Sequence, residues 1–293
     1  MKYVWLRKIL GGGKILTSLI YLRYFKSFLN WWKPKTINEK INWLNFNSDT
    51  TLWTMLSDKL EVRNFVEKKG LKENLVKLYG YWYDPNEIDW SILPNKFVMK
   101  MNNGSGDILI CKDKRLIDKN KVIGYFTPLF HKQYDYTNGE PHYTKITPCL
   151  IAEELLDVSK QAMKSSSLID YKIWCFNGNP DFVWVCFNRT PDRVDVGSYD
   201  LQWNLHPEYG EETNHYHLAE QKVPKPETLE RMLDVARVLS EGIPQVRVDL
   251  YEVDGQVYFG EMTFTSAGGF MRFYSEKQLR SMGNKIVLPK KQK

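Results

Sequence analysis

The chain has 293 residues, 43% of them hydrophobic and 14% aromatic, enough for one large or two small packed domains. Its formal net charge of +6 is uneven: Lys2, Arg7, Lys8, Lys14, Arg23, Lys26, Lys33 and Lys35 fall within the first 38 residues without a single acid, and the remainder carries −2. A nucleic-acid groove needs a basic face spread over the fold, so this distribution argues against nucleic acid as a partner.

Residues 14–33, KILTSLIYLRYFKSFLNWWK, repeat at helical spacing. Arg23, Lys26, Ser27, Asn30 and Lys33 share one face, and Leu19, Leu22, Phe25, Leu29 and Trp32 another. Such a helix either packs on the rest of the protein or lies in an anionic membrane surface, its cations snorkelling and Trp31 and Trp32 at the interface. Residues 49–70 read as a second helix, with Asp58, Lys59 and Arg63 on one side and Gly70 as C-cap. A turn-rich connection at 84–96 leads to strands at Lys96–Met101, Ile108–Lys112 and, after a helix, Pro148–Glu153. Tyr171–Phe176 and Phe182–Phe187 form a hairpin about a turn at Asn177–Pro180. Residues 190–222 are polar and irregular and are expected as a mobile loop. Pro226 opens a helix over 226–241. A second hairpin pairs Gln245–Val253 with Gln256–Phe264 across Asp254-Gly255.

Cys111, Cys149, Cys175 and Cys186 lie in apolar contexts without a CxxC pair and read as buried small hydrophobes in a reducing compartment. No run of eighteen apolar residues and no signal-peptide cleavage pattern is present, so a cytoplasmic protein is expected.

The second hairpin carries the densest chemistry. Arg247 and Asp249 point to one face of their strand, as Glu261 and Thr263 do on theirs. A strand acid needs a partner or a cation. Two carboxylates and a hydroxyl make a hard-oxygen site suited to Mg²⁺ with phosphate oxygens; an Arg247–Glu261 salt bridge is the alternative. Gly104-Ser105-Gly106 follows a strand bearing Lys100, and its backbone N–H groups could meet phosphate, although an ordinary turn contains the same residues. Neither GxxxxGK[ST] nor GxGxxG occurs. The pair at Glu153 and Glu154 suits a ribose or an exposed edge. His142, in EPHY, either faces substrate or is structural; His215 and His217 form an HxH in the polar stretch, read as solvent-exposed; Tyr199 and Trp203 either stack on a sugar or pack.

Taken in order, SDKLEVRNFV, LPNKFVMKMNNGSGD, PHYTKITPCLIAEELL, DYKIWCFNGNPDFV, YDLQWN and VRVDLYEVDGQVYFGEMTFTSAGGF resemble the ATP-grasp superfamily, specifically its teichuronopeptide-biosynthesis (TupA-like) branch. They span about residues 35 to 275; the last motif and the Lys100 loop are the specific parts. The resemblance implies an α+β, ATP-grasp-like fold, with nucleotide held between two α+β subdomains and a basic amphipathic N-terminal helix. It divides the chain into a basic region (1–48), an N-terminal grasp part (49–152), a C-terminal part with the Mg-binding hairpin (153–280) and a basic tail (281–293). Lys59 and Lys100 resemble the lysines on the ATP phosphates, and Gly104, Ser105 and Gly106 the loop that closes over them. Glu153 to Leu156 resemble the nucleoside-reading hinge, Glu154 being the first choice for the adenine side. Asp170 and Lys172 resemble the stretch entering the C-terminal half. Asp249, Glu261 and Thr263 resemble the Mg²⁺ ligands, and Arg247 the arginine that stabilises charge on the transferred phosphoryl group. Asn103 stands where the branch often has His, and Ser266 where it often has Pro. Lys100, Lys172 and Arg247 are the expected catalytic residues.

The activity implied is an ATP- and Mg²⁺-dependent carboxylate–amine ligase acting through an acylphosphate. Its expected partners are a carboxylate-bearing glycan or lipid-linked sugar and an amine donor, with the protein peripheral at the inner face of a bacterial plasma membrane. The rivals are a glycosyltransferase, against which the lack of an Asp-x-Asp motif counts, a sugar kinase, and a non-catalytic nucleotide-binding protein.

Overall fold

The computed structural model describes residues 13–104, 106–132, 140–219 and 222–290. Two sheets organise them. The smaller contains β1 (Leu78–Trp82), β2 (Phe97–Met101), β3 (Ile108–Cys111) and β4 (Leu150–Glu154), ordered β1-β4-β2-β3 with antiparallel pairings. Along β2, Phe97, Met99 and Met101 point to one face and pack with Val122 and Phe126. Those two lie on α5 (Lys119–Phe126), capped by the Asp118 carboxylate, which accepts from Lys121 N. Lys100 therefore sits on the other face, across from Ile108 on β3 and Ile151 on β4.

The larger sheet contains β5 (Asp170–Phe176), β6 (Asn179–Phe187), β7 (Val194–Tyr199), β8 (Tyr216–Leu218), β9 (Gln245–Val253) and β10 (Gln256–Thr263), ordered β10-β9-β5-β6-β7-β8, with only β7 and β8 parallel. Leu229, Met232, Val235, Ala236 and Leu239 of α6 (Leu229–Ser240) share one hydrophobic core with Ile173, Val183, Val248 and Leu250 of this sheet. The same core takes in Ile37 and Ile41 of α2 (Ile37–Asn47), Trp53 and Leu56 of α3 (Thr51–Ser57), Val62 and Val66 of α4 (Glu61–Lys68) and Met282 of α7 (Glu276–Lys285). So α3 and α4, which precede the small sheet in the chain, pack with the large one.

Several expectations change. The helix expected over 14–33 is α1 (Gly13–Phe25); it stops where Lys26 takes a φ of +54°, and the chain then folds back so that Leu29 is buried and Trp32 exposed. The buried flank of α1 is Leu16, Thr17 and Tyr21, not the predicted apolar stripe. The helix expected over 49–70 breaks at Asp58, whose carboxylate accepts from Leu60 N and Glu61 N and starts α4 afresh. The expected loop at 190–222 contains β7 and β8, because Val194 and Val196 alternate with Asp195 and Gly197 and enter the core. The first hairpin turns on Asn177-Gly178 alone, with φ of +51° and +80°. The expected tail at 281–293 begins inside α7, where Met282 is buried, as is Ile286 just after the helix.

The α2–α7 contact is tight. A Cβ on Gly283 would lie 2.0 Å from Lys35 O and 2.9 Å from Ile37 N, backbone that cannot yield. Gly283→Ala should therefore lower stability by about 1–3 kcal/mol, although alanine gains about 1 kcal/mol of helix propensity. Denaturant unfolding checks this; a more stable variant would refute the contact.

Candidate functional site

The site grows from an irregularity in the β9–β10 hairpin. Asp254 and Gly255 both adopt left-handed φ, +56° and +70°, and pairing starts at Gln256 with Val253 and runs one-for-one to Phe259 with Leu250. Carried on, that register would pair Glu261 with Val248 and turn the acid toward the core. Instead Gly260 is an extra residue, Glu261 pairs with Asp249, and Thr263 pairs with Arg247. The bulge lets Val257 and Phe259 before it, and Met262 and Phe264 after it, all be buried. Glycine suits the position: a Cβ there would meet Asp249 O and Tyr251 Cε2 at 3.0 Å each, closer than side chains ordinarily pack.

On this face lies a chain of alternating charges. Arg247 forks onto Asp249, with Nε on Oδ1 and Nη2 on Oδ2, both at 2.7 Å. Its Nη1 donates to Ser266 Oγ at 2.8 Å and its Nη2 to Thr263 Oγ1 at 3.1 Å. Lys172, opposite Asp249 on β5, reaches Asp249 Oδ2 at 2.5 Å and Asp170 Oδ2 at 3.1 Å. Arg189 Nη2 donates to Asp170 Oδ2 at 3.2 Å. At the other end, Glu261 Oε1 lies 3.7 Å from Arg247 Nη2, and Glu261 Oε2 lies 3.3 Å from Lys59 Nζ. Burial opposes charge on Lys172 and Arg247, yet the carboxylates around them overcome it and hold both cations above their ordinary pKa. Burial likewise opposes charge on Glu261, but Lys59, Lys172 and Arg247 hold its carboxyl down at about 2.

The small sheet supplies the facing group. Lys100 Nζ lies 2.5 Å from Glu153 Oε2, and Arg63 Nη1 lies 2.9 Å from Glu153 Oε1. Arg63 Nη2 donates to Val76 O at 2.7 Å. Glu154, by contrast, is exposed at the strand end, and its backbone N donates to Lys77 O. Leu156 packs with Val76 and Val253. Lys59 is set by its neighbours: Asn102 Nδ2 donates to Asp58 Oδ1 at 3.0 Å, and Lys59 N donates to Asn102 O at 3.0 Å. From there Lys59 Nζ donates to Gly104 O at 2.7 Å, joining the glycine loop to Glu261. Gly104 and Gly106 both take positive φ, +80° and +84°. Ser105 lies outside the described residues.

The structure thus brings Lys59, Lys172, Arg247, Asp249, Glu261 and Thr263 into one cluster and sets Lys100 with Glu153 on the face of the small sheet turned away from α5. Sequence reasoning missed Ser266 and Arg189 as partners, and it missed the work of Arg63, although its spacing of four from Lys59 marks one helix side. It also missed the bulge, whose signal is the apolar parity change between Phe259 and Met262 around a strand glycine. Among the described residues no group of three His, Cys, Asp or Glu side chains could hold a metal. Asp249, Glu261 and Thr263 nevertheless offer hard oxygens of the kind Mg²⁺ takes alongside phosphate. Both Asp249 oxygens are engaged by cations, whereas the Glu261 side chain keeps 32% of its exposure.

Other candidates resolve as packing. Tyr199 and Trp203 stack on each other at 4.4 Å, both buried. His215 and His217 are half-buried rather than solvent-exposed. His142 is fully buried, edge-on to Trp53 at 5.8 Å, and neither ring nitrogen has a hydrogen-bond partner.

Residues 39–287 match the family described as TupA-like ATPgrasp. The chain belongs to that family. No curated protein matches this TupA-like ATP-grasp chain. Among solved structures it is similar to D-alanine–D-alanine ligase from Bacillus anthracis, at 12% identity and TM-score 0.49 over 85% of this chain and 74% of that one. The same enzyme complexed with ATP gives 14% and 0.41, over 74% and 56%. The ATP-grasp ligase PsnB, complexed with precursor peptide PsnA2 and AMPPNP, gives 11% and 0.41, over 90% and 63%. The chain spans 56% of the length of the ATP-complexed D-alanine–D-alanine ligase, 63% of PsnB and 74% of the other D-alanine–D-alanine ligase structure.

Burial holds the His142 imidazole down at about 3, so the folded state keeps it neutral while the unfolded chain protonates near 6.5. Its contribution is present above pH 6.5 and is lost as pH falls toward 3. His142→Phe should change stability at pH 7 by no more than about 1 kcal/mol and flatten the acid limb in that window. Urea unfolding against pH checks both.

Proposed function

We propose that this TupA-like ATP-grasp chain is an ATP- and Mg²⁺-dependent carboxylate–amine ligase. The observation that carries the reading is the Lys59 contact, which couples the glycine loop after the Lys100 strand to the Glu261 carboxylate of the bulged hairpin. That coupling supports a polyphosphate running between the two sheets. Lys59, Lys100 and the loop from Gly104 to Gly106 would neutralise phosphate oxygens, with Glu153, Glu154 and Leu156 toward the nucleoside. Asp249, Glu261 and Thr263 would hold Mg²⁺, which when bound supplies further charge neutralisation. Arg247 and Lys172, fixed by Asp249 before any ligand enters, are preorganised to stabilise charge on a phosphoryl group passing to a carboxylate. With ADP as the leaving group of that transfer, an amine would then attack the acyl carbon of the resulting acylphosphate, forming the C–N bond of an amide as the C–O bond to phosphate breaks and inorganic phosphate leaves.

The TupA-like branch supports a bacterial surface polysaccharide as the setting, with a uronic-acid carboxyl joined to an amino acid or amino sugar. The cations and aromatic residues of the N-terminal region support work at the inner face of the plasma membrane, where a lipid-linked glycan would be met.

Mg-ATP at about 100 times its Kd should add about 2.7 kcal/mol of apparent stability. Lys100→Met should abolish that gain, and UDP- and GDP-sugars should give none. A thermal shift produced by a sugar nucleotide alone would sink the ligase reading. Glu261→Gln should remove the Mg²⁺-dependent part of the ATP shift and the release of ADP. It is the cleaner metal test, because Asp249→Asn would also strand Arg247 and Lys172, a loss of about 3–5 kcal/mol in fold stability.

A further inference from the structure

The N-terminal region presents apolar surface that the core does not use. Phe28 and Trp32 are 79% and 88% exposed, and Ile15 and Leu19 nearly half exposed. With Leu22 and Trp31 they line a groove of about 580 Å³ between α1 and the segment that doubles back after it. Large apolar side chains held this far into water mark a surface made to be covered.

They are held there by specific bonds. Trp31 Nε1 donates to Ser18 Oγ at 2.9 Å, and the Lys14 ammonium stands 5.4 Å over the same indole. Asn30 Oδ1 accepts from Trp32 N and Lys33 N and sets the turn, while buried Leu29 anchors it from below. Phe28 and Trp32 therefore project from a fixed turn.

Charge identifies the occupant. Arg23, Lys26, Lys33 and Lys35 are exposed in this region. The first acid in the chain, Glu39, turns inward: its carboxylate accepts from Asn30 N, Lys35 N and Thr36 N, and it is buried. Cations ringing exposed aromatic and aliphatic side chains, with the nearest sequence acid withdrawn, match a bilayer with anionic headgroups.

We propose that this face docks the protein on an anionic lipid bilayer, with Phe28 and Trp32 entering the acyl boundary and Arg23, Lys26, Lys33 and Lys35 in the headgroup layer. The contact differs from a helix lying flat, since the flank of α1 bearing Leu16 and Tyr21 is buried in the protein. Docking deepens the membrane placement given above but requires no step of the ligase chemistry, so the two can fail separately.

The test uses the full chain without nucleotide, sedimented with vesicles of phosphatidylglycerol and phosphatidylcholine or of phosphatidylcholine alone. The expected result is binding to the anionic vesicles only, weakened by salt. F28S combined with W32S should lower the partition coefficient about tenfold, and R23Q, K26Q, K33Q and K35Q together should remove the salt sensitivity. The Mg-ATP thermal shift, read on the same preparations, should be the same size in every variant, which shows that each folds. Unchanged sedimentation of the F28S–W32S protein overturns the proposal, as does equal binding to phosphatidylcholine. A concentration-dependent dimer that the same double variant abolishes would assign the face to a second copy instead. Vesicle binding in a protein that no adenine nucleotide stabilises would leave docking standing and remove the ligase.

Discussion

The extra residue at Gly260 sets the register of the hairpin on which the cluster is built. Because side chains alternate along a strand, one inserted residue decides whether Glu261 meets Asp249 across the sheet or points into the core. The insertion also keeps Val257, Phe259, Met262 and Phe264 on the apolar side. Packing and chemistry thus ask for the same irregularity. Glycine suits it because a Cβ there would crowd the Asp249 carbonyl and the Tyr251 ring.

From that pairing the electrostatics follow. Isolated, a buried guanidinium or carboxylate would be expelled or neutralised. In this cluster the ions are paired with opposite charge: Asp170 with Arg189 and Lys172, Asp249 with Lys172 and Arg247, Glu261 with Lys59. Glu261 is the least deeply committed anion, so the half of the cluster toward Lys59 is the half that can change partners. The Arg247–Asp249 fork, closed by Ser266 and Thr263, is the rigid half.

Much of this was legible in the amino-acid order. Arg247, Asp249, Glu261 and Thr263 announced themselves because charged residues two apart in an apolar strand must share a face. Lys100 did so because it interrupts a buried run before a glycine loop. The four buried cysteines also follow expectation. What stayed hidden depended on long-range contact. The end of α1 at Lys26 reflects a chain reversal that buries Leu29, which local periodicity cannot register. The strands at Val194–Tyr199 and Tyr216–Leu218 sit among polar residues whose turns outweighed a short alternation. Arg63 carries an ordinary surface-helix signature, and only the fold brings it to Glu153.

The fit between α2 and α7 bears on the order in which the molecule can be made. Asn38 exchanges hydrogen bonds with the backbone of Met271, 233 residues away, and the Lys35–Ile37 backbone rests on Gly283. Residues translated early thus wait for residues translated late before the larger core can close. Until then the face of α2 that meets α7 has no cover. A ribosome-bound nascent chain stalled before Gly283 should be a chaperone client, whereas the smaller sheet, whose strands lie between Leu78 and Glu154, has its partners at hand much sooner.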